Sequence, residues 1–288
     1  MTESRAKSDE KRLSIILPAS NEAGLIGACL QSVLNSVTQT PMPVEVIVIA
    51  NACNDATARV ARGFQTPFCV RGWSLVVVET ATPGKLNALN HGDRLATGGM
   101  RAYLDADVIL SPDLLAQLYQ ALDRPEAVYA SGRVRLSRAE SAFSRAYGRI
   151  YQQVPFMRTG VPGCGLFAVN VHGRKRWQVF PDIIADDTFV RLHFTPDERV
   201  LLDAPYDWPL VEGMRNLVKV RRRQDLGVIE IKRLFPELLA NDDKPELGLS
   251  GMIGLYLRNP VDFMAYIAVA LAVRLTGDKA PGSWSRGR

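Results

Sequence analysis

The strongest constraint on the fold is an alternation of short apolar runs with helical periodicity through the first 125 residues. Residues 13–17, 44–50, 75–78 and 102–104 are apolar at nearly every position, as strands buried on both faces require. After the first run, Leu25, Ile26, Cys29, Leu30, Val33, Leu34 and Val37 recur at helical spacing, with Ser20 or Asn21 available as the cap. Residues 56–64 predict a short helix begun by Asn54 or Asp55, and residues 85–95 a third helix. Ser111-Pro112 predicts an N-cap followed by proline in the first turn of a helix reaching about Leu122. Strand, helix, strand, helix in this order predicts an α/β fold with a mainly parallel sheet flanked by helices.

Beyond residue 125 the alternation loosens. Strands are expected over 128–136 and 166–171, a short helix over 187–194, and a long basic helix over 215–234 that stops before Pro236. The simplest parse is a disordered lead-in over 1–12 and one α/β domain over 13–240. A helical C-terminal extension over 241–278 and a flexible Gly-, Ser- and Arg-rich tail over 279–288 follow. The apolar run 263–273, closed by Asp262 and Arg274, is shorter than the roughly 20 residues of a membrane-spanning helix. It fits either a buried core helix or one lying in the lipid interface.

A net charge of +5 suits an anionic ligand or an acidic lipid surface and is too weak to argue for nucleic acid. The four cysteines, at 29, 53, 69 and 164, form neither a zinc pair nor a disulfide framework, which makes a reducing cytoplasm the expected location.

In an open parallel sheet, ligands bind beyond the carboxyl ends of the strands. The four ends carry Pro18-Ala19-Ser20-Asn21-Glu22, Asn51-Ala52-Cys53-Asn54-Asp55, Pro83-Gly84-Lys85 and Asp105-Ala106-Asp107. Neither a Gly-x-Gly-x-x-Gly turn nor a Gly-Lys-Ser/Thr loop is present, which disfavours a dinucleotide enzyme and a P-loop NTPase. Asp105 and Asp107, two apart on a strand-end turn, can share a hard divalent cation with substrate phosphates; the plain alternative is a solvated turn. Lys85 is a point charge suited to a diphosphate, or a solvated first-turn lysine. Asp186-Asp187 either caps a helix or supplies a general base. Cys164, between Gly163 and Gly165, has no paired histidine, and His91, His172 and His193 are scattered. The run Arg221-Arg222-Arg223 is a solvated helix face, a cover for a departing diphosphate, or a contact to acidic headgroups.

These loops, in this order, resemble the family-2 glycosyltransferases of the GT-A fold. Pro18 to Glu22 looks like the opening P-x-x-N-E. Residues 50–57 are similar to the second-strand loop, Gly84 to Asn90 to G-K-x-x-A-L-N, Asp105-Ala106-Asp107 to D-x-D, and Asp186-Asp187 to the later E-D pair. The resemblance covers about residues 13–227. It implies a nucleotide-diphosphate sugar donor, a divalent cation (Mg2+ or Mn2+), and a glycan or lipid-linked acceptor. Pro18, Ala19, Asn21, Glu22, Asn51, Lys85, Asp105 and Arg223 would then hold the donor, with Asn51 against the base. Asp107 would be the main metal ligand and Asp105 would serve ribose or metal. Gly163, Cys164 and Asp186 would lie on the acceptor side, and Asp187 would deprotonate the acceptor hydroxyl in a single inverting displacement. Bacterial members with a similar C-terminal segment imply cell-surface glycan or exopolysaccharide synthesis and peripheral contact with the inner face of the membrane.

Three departures qualify this. Asn51 stands where aspartate is usual, Asp186 is one methylene shorter than the usual glutamate, and Val220 to Gln224 keeps only the arginine of the processive synthases' Q-x-x-R-W. Transfer of one sugar therefore fits better than processive synthesis. The competing expectations are a sugar-phosphate nucleotidyltransferase, whose basic glycine-rich loop is missing here, and a non-catalytic sugar-nucleotide-binding or membrane scaffold.

Overall fold

A computed structural model describes residues 11–38 and 41–275. The expected tail and all but the end of the expected lead-in lie outside the described residues. Among the described residues, eight strands form one sheet in the order β3-β2-β1-β4-β7-β6-β8-β5. Strands β1 (Leu13–Ala19), β2 (Val44–Asn51), β3 (Ser74–Thr80) and β4 (Met100–Leu104) pair in parallel. Every residue of β1 and β2 is buried, which is why both read as unbroken apolar runs.

The sheet is more mixed than the alternation predicts. β5 (Ile109–Leu110), β6 (Tyr129–Leu136), β7 (Leu166–Val169) and β8 (Arg199–Trp208) complete it. β7 runs antiparallel to both β4 and β6, and β5 is antiparallel to β8, while β6 and β8 are parallel. The reversal has a functional consequence. It sets the start of β7 beside the end of β4, Leu166 opposite Leu104, so the turn entering β7 abuts the acidic turn leaving β4.

Helices α1 (Ile26–Leu34), α2 (Thr57–Arg62), α3 (Gln65–Val70), α4 (Lys85–Leu95) and α5 (Leu114–Leu122) occupy the first half. The second half carries α6 (Ala142–Tyr151), α7 (Pro155–Arg158), α8 (Val171–Arg174), α9 (Asp186–Arg191), α10 (Gly213–Leu234), α11 (Leu249–Arg258) and α12 (Pro260–Leu275). Two expected caps are corrected. α1 begins at Ile26 with Leu25 at the cap position and no side-chain cap bond, and the Asn21 side chain instead accepts the Asn54 N–H across to the neighbouring loop. α5 begins at Leu114, with Ser111 contributing its backbone carbonyl to the Leu114 N–H rather than a side-chain cap.

One apolar cluster lies between the sheet and α1 and α5, and a second lies around Tyr103, Phe167, Trp177 and Phe194 on the other face. α12 packs on α6 and α10, with Val269 buried against Tyr147, Tyr151 and Leu217. Arg149 clamps Asp262 through two 2.6 Å hydrogen bonds, tying α12 to α6 and holding the Asp262 carboxyl below its usual range. The other side of α12 stays open: Val261, Met264, Leu271 and Leu275 are exposed, as are Leu249, Ile253 and Leu257 on α11. No helix among the described residues is long and apolar enough to cross a membrane.

Candidate active site

The carboxyl ends of β1 to β4 lie side by side, and their loops are tied together by side chains. Asn21 (φ 53°) and Ala52 (φ 47°) are both left-handed without being glycine, conformations that persist only where surroundings fix them. Asn21 Oδ1 accepts the Asn54 N–H at 2.7 Å, and Asp55 accepts N–H groups of Ala23 at 3.1 Å and Thr57 at 3.0 Å. The Glu22 N–H donates to Thr57 Oγ1 at 2.7 Å. Asn51 is buried, and its Nδ2 donates to the Gly84 carbonyl at 3.2 Å, linking the second loop to the start of α4.

Lys85 is the first residue of α4, behind Gly84, whose φ of 109° few side-chain-bearing residues adopt. Its Nζ lies 2.8 Å from Asp105 Oδ1 and 3.0 Å from Asp186 Oδ2. Burial works against the ammonium charge, but the two carboxylates more than offset it and hold Lys85 above its ordinary pKa. A loop from β3, one from β4 and the first turn of α9 thus meet at one cation.

Asp187, next on α9, is raised to about 6, chiefly because it is buried and secondly because Asp186 adds a like charge; Lys85 and the Thr188 N–H pull the other way. That N–H donates to Asp187 Oδ1 at 2.6 Å, so the carboxylate is aimed by its own helix N-terminus. A carboxylate at this value is ionised near neutrality yet basic enough to take a proton from a hydroxyl in the transition state.

The turn Gly163-Cys164-Gly165 closes this side. The Asp105 N–H donates to the Gly165 carbonyl at 2.8 Å, and the Tyr206 hydroxyl to the Cys164 carbonyl at 2.8 Å. Both glycines have positive φ, 68° and 75°. A Cβ on Gly163 would stand 1.9 Å from Tyr129 Oη, a fully buried group, so nothing nearby can yield cheaply. Gly163→Ala is expected to lower stability by at least about 2 kcal/mol, read as a drop in denaturation midpoint. An unchanged midpoint would show that the turn can move. Burial, then the charges of Asp187 and Asp105, push the Cys164 thiol well above its usual range, so it stays protonated and is no nucleophile.

A cavity of about 690 Å3 opens beside this wall. Lys85, Asp105, Gly163, Cys164, Asp186, Asp187 and Arg223 line it. Pro18, Ala19, Asn21, Glu22, Asn51 and Asp107 do not; they belong to the adjoining strand ends, with Asp107 half-buried in the turn that Val108 N–H closes onto Asp105 O. Asp105 and Asp107 fit a magnesium-type ion in the chemistry of their donors, oxygen ligands from one or two carboxylates completed by phosphate and water. No group of three or more His, Cys, Asp or Glu side chains among the described residues is arranged to hold an ion alone.

Sequence reasoning passed over several lining residues. Arg191 follows Asp187 by four positions on α9, a spacing that puts both on one helix face and could have flagged it. Arg221 is not simply solvated: its guanidinium lies 5.6 Å from the Tyr151 ring, in a cluster where Tyr147 stacks on Tyr151 and Tyr266. Trp208, Tyr266 and Leu247 also reach the cavity, from three separate elements.

Against known proteins, the Glycosyl transferase family 2 model matches residues 14–174. The 4,4'-diaponeurosporenoate glycosyltransferase of Staphylococcus aureus (strain USA300) is 38% identical over 104 residues, 35% of this chain and 25% of that protein. The undecaprenyl-phosphate 4-deoxy-4-formamido-L-arabinose transferase of Serratia proteamaculans (strain 568) is 26% identical over 168 residues, 56% of this chain and 50% of that one. The chain thus spans between a quarter and a half of the length of these curated relatives. Among solved structures, a mannosyltransferase from Pyrobaculum calidifontis, in complex with GDP-Man and Mn2+, superposes with a TM-score of 0.54. That match has 23% identity over 96% of this chain and 83% of the other, a likeness of fold. With the family match spanning more than half of the chain, and a structural likeness that shows the fold, the chain belongs to glycosyl transferase family 2 and has a GT-A-like fold.

Proposed function

We propose that the chain moves one sugar from a nucleotide-diphosphate sugar to an acceptor hydroxyl, with inversion and with a divalent cation. The observation that carries this is Asp187, a buried carboxylate raised to about 6, one residue from the Lys85–Asp105–Asp186 ion cluster in a single cavity wall. A single displacement needs one base and no protein nucleophile. Asp187 takes the hydroxyl proton as the oxygen attacks the anomeric carbon, and the bond to the diphosphate breaks in line. Lys85 and Arg223 offset the charge that builds on the departing diphosphate. Asp107 and Asp105 would hold the cation, which supplies further charge stabilisation there when bound.

The manganese and GDP-mannose named in the Pyrobaculum structure support a metal and a nucleotide sugar here. The exposed apolar faces of α11 and α12 support peripheral contact with a membrane; the cytoplasmic face and a role in cell-surface glycan synthesis complete the proposed setting. The acceptor is then a glycan or a lipid-linked molecule, and the Serratia relative's name contains a lipid phosphate, undecaprenyl phosphate. The catalytic domain covers residues 13–240, with the extension over 241–278, described as far as residue 275, packed on it through α12.

Thermal shift tests the donor half. UDP, GDP and dTDP, with and without Mn2+, are compared at about 100 times the dissociation constant. The matching nucleotide is expected to raise the melting temperature by roughly 5–10 °C, and only with the metal. If no nucleotide produces a metal-dependent shift, the reading falls.

A further inference from the structure

Helix α9, which carries Asp187, is six residues long and begins at Ala185 with no side-chain cap. A helix of that length does not hold itself in water, so its direction is set by whatever grips it. Its far end is secured from the core: Phe189 and Val190 are buried, and Arg191 donates to Asp243. Its near end is entered from residues 181–185, which belong to neither helix nor strand. There the Ile184 N–H donates to Glu230 Oε2 of α10 at 2.7 Å.

α10 is shaped for this approach. Gly227 is buried, and a Cβ there would stand 2.8 Å from Ala185 Cβ and 3.3 Å from the Ala185 nitrogen. The helix therefore lies directly against the two residues before Asp186 and Asp187. Ile231, next to Glu230, packs in one apolar cluster with Ile183 and Phe189, which pins the same crossing from its buried side. Arg223, Gly227 and Glu230 stand at i, i+4 and i+7, on a single face of α10. Arg223 lines the cavity with Asp187, whereas Glu230 lies outside the lining. About 10 Å of helix separates Arg223 from Glu230, at the usual rise per residue.

An in-line displacement needs the base and the leaving diphosphate on opposite sides of the anomeric carbon, at a separation the protein must fix. We propose that Glu230 is a positioning residue for the transfer: by accepting the Ile184 N–H it holds Asp187 at a set distance from Arg223, with α10 as the spacer. This rests on the reading of Asp187 as the base, and it adds a residue that touches neither donor nor acceptor. Lys85 fixes the Asp186 carboxylate through its side chain. Glu230 fixes the backbone from which both acids project. Without that bond the entry to α9 loosens and Asp187 leaves its buried position, and a misplacement of about 1 Å costs on the order of 100-fold in rate.

The test is a double-mutant cycle read by melting temperature at pH 7.5, on the full chain without ligand. Asp187→Asn is expected to raise the melting temperature of the unaltered chain by several degrees, because burial holds that carboxyl at about 6. Glu230→Met keeps the length and packing of the side chain but offers no oxygen, and in that background the gain should fall to less than about half. Glu230→Gln, whose amide oxygen can accept the same N–H, should restore it. Gly227→Ala, which pushes α10 away from Ala185 and leaves Glu230 in place, should reduce the gain as Glu230→Met does. Release of nucleoside diphosphate is followed in the same variants, with water as acceptor and GDP-mannose, UDP-glucose or dTDP-glucose as donor according to which nucleotide gives the thermal shift. In Glu230→Met its kcat should fall about 10- to 100-fold with the donor KM unchanged, and Glu230→Gln should recover it. An equal gain in the unaltered and Glu230→Met chains overturns the proposal, since the two residues then act independently. So does loss of the metal-dependent nucleotide shift in Glu230→Met, which would place Glu230 on the donor side. The two levels stay separate. No gain from Asp187→Asn in the unaltered chain removes the base and Glu230 with it, whereas a gain indifferent to Glu230→Met removes only Glu230.

Discussion

Asp187→Asn is expected to abolish transfer while making the protein more stable. Removing a general base costs about 10²- to 10⁴-fold in kcat, and an amide cannot take the proton. The stability gain follows from the sign of the shift. The folded-state carboxyl is raised from 3.8 to about 6, so the folded chain holds this proton more tightly than the unfolded chain does. Its contribution favours the fold at low pH and is lost as pH rises through about 6. At pH 7.5 the ionised side chain is a liability, on the order of 1–3 kcal/mol, that asparagine removes. Asparagine also keeps an oxygen to accept the Thr188 N–H. The melting temperature should rise by several degrees, and the metal-dependent nucleotide shift should persist. In the unaltered enzyme, kcat/KM should fall about tenfold per pH unit below about 6, since that quantity reports the free enzyme's essential base. A variant that still turned over at a tenth of the normal rate would reassign the base; one that lost the nucleotide shift would move Asp187 to the donor.

This opposition between function and stability is also what made the charged wall readable from sequence. Lys85, Asp105, Asp186 and Asp187 are polar residues placed directly at strand ends and helix starts, where packing asks for nothing of the kind. Each has a local explanation of its own, a cap or a solvated turn, and they stand out because they fall together at successive strand ends. The apolar residues of the cavity lining have no such signature. Tyr151, Phe156, Leu247 and Tyr266 each continue an apolar pattern that serves packing equally well, and only their convergence from distant segments makes a site. The same distinction runs through the fold. β1 and β2 are buried throughout and announce themselves, and the span of α4 was evident to the residue. β8 did not announce itself, because Asp203 and Asp207 pair outward with Arg133 and Arg135 and break its apolar run. α6 was missed because its buried positions include Ser144, Ala146 and Gly148, which carry little apolar signal. The antiparallel course of β7 could not be read locally at all, since strand direction is set by partners far along the chain.

Lys85→Ala should lose both activity and stability, the opposite sign from Asp187→Asn in the same wall. With the ammonium gone, Asp105 and Asp186 confront each other and Asp187 across the space it filled, and Asp186 has only 5% of its surface exposed to recruit water. Breaking a buried pair by removing one partner leaves charge uncompensated, worth about 3–5 kcal/mol for a fully buried pair and less here because Lys85 is partly solvated. A loss of about 2–3 kcal/mol at pH 7.5 is expected, seen as a lower denaturation midpoint. It should shrink as pH is lowered through about 6, because Asp187, raised to about 6, then takes up a proton and relieves the crowding. Loss of the point charge should reduce kcat/KM at least about 100-fold through the diphosphate. Manganese discriminates further. If Asp105 serves a cation together with Asp107, then freeing it from Lys85 lets the ion stabilise Lys85→Ala more than the unaltered chain, even without nucleotide. A variant that melts within a degree of the unaltered protein would mean that the two short contacts are solvated and carry no weight. Normal stability recovered only at low pH, with no response to manganese, would confine Asp105 to pairing with Lys85 and leave the metal to Asp107.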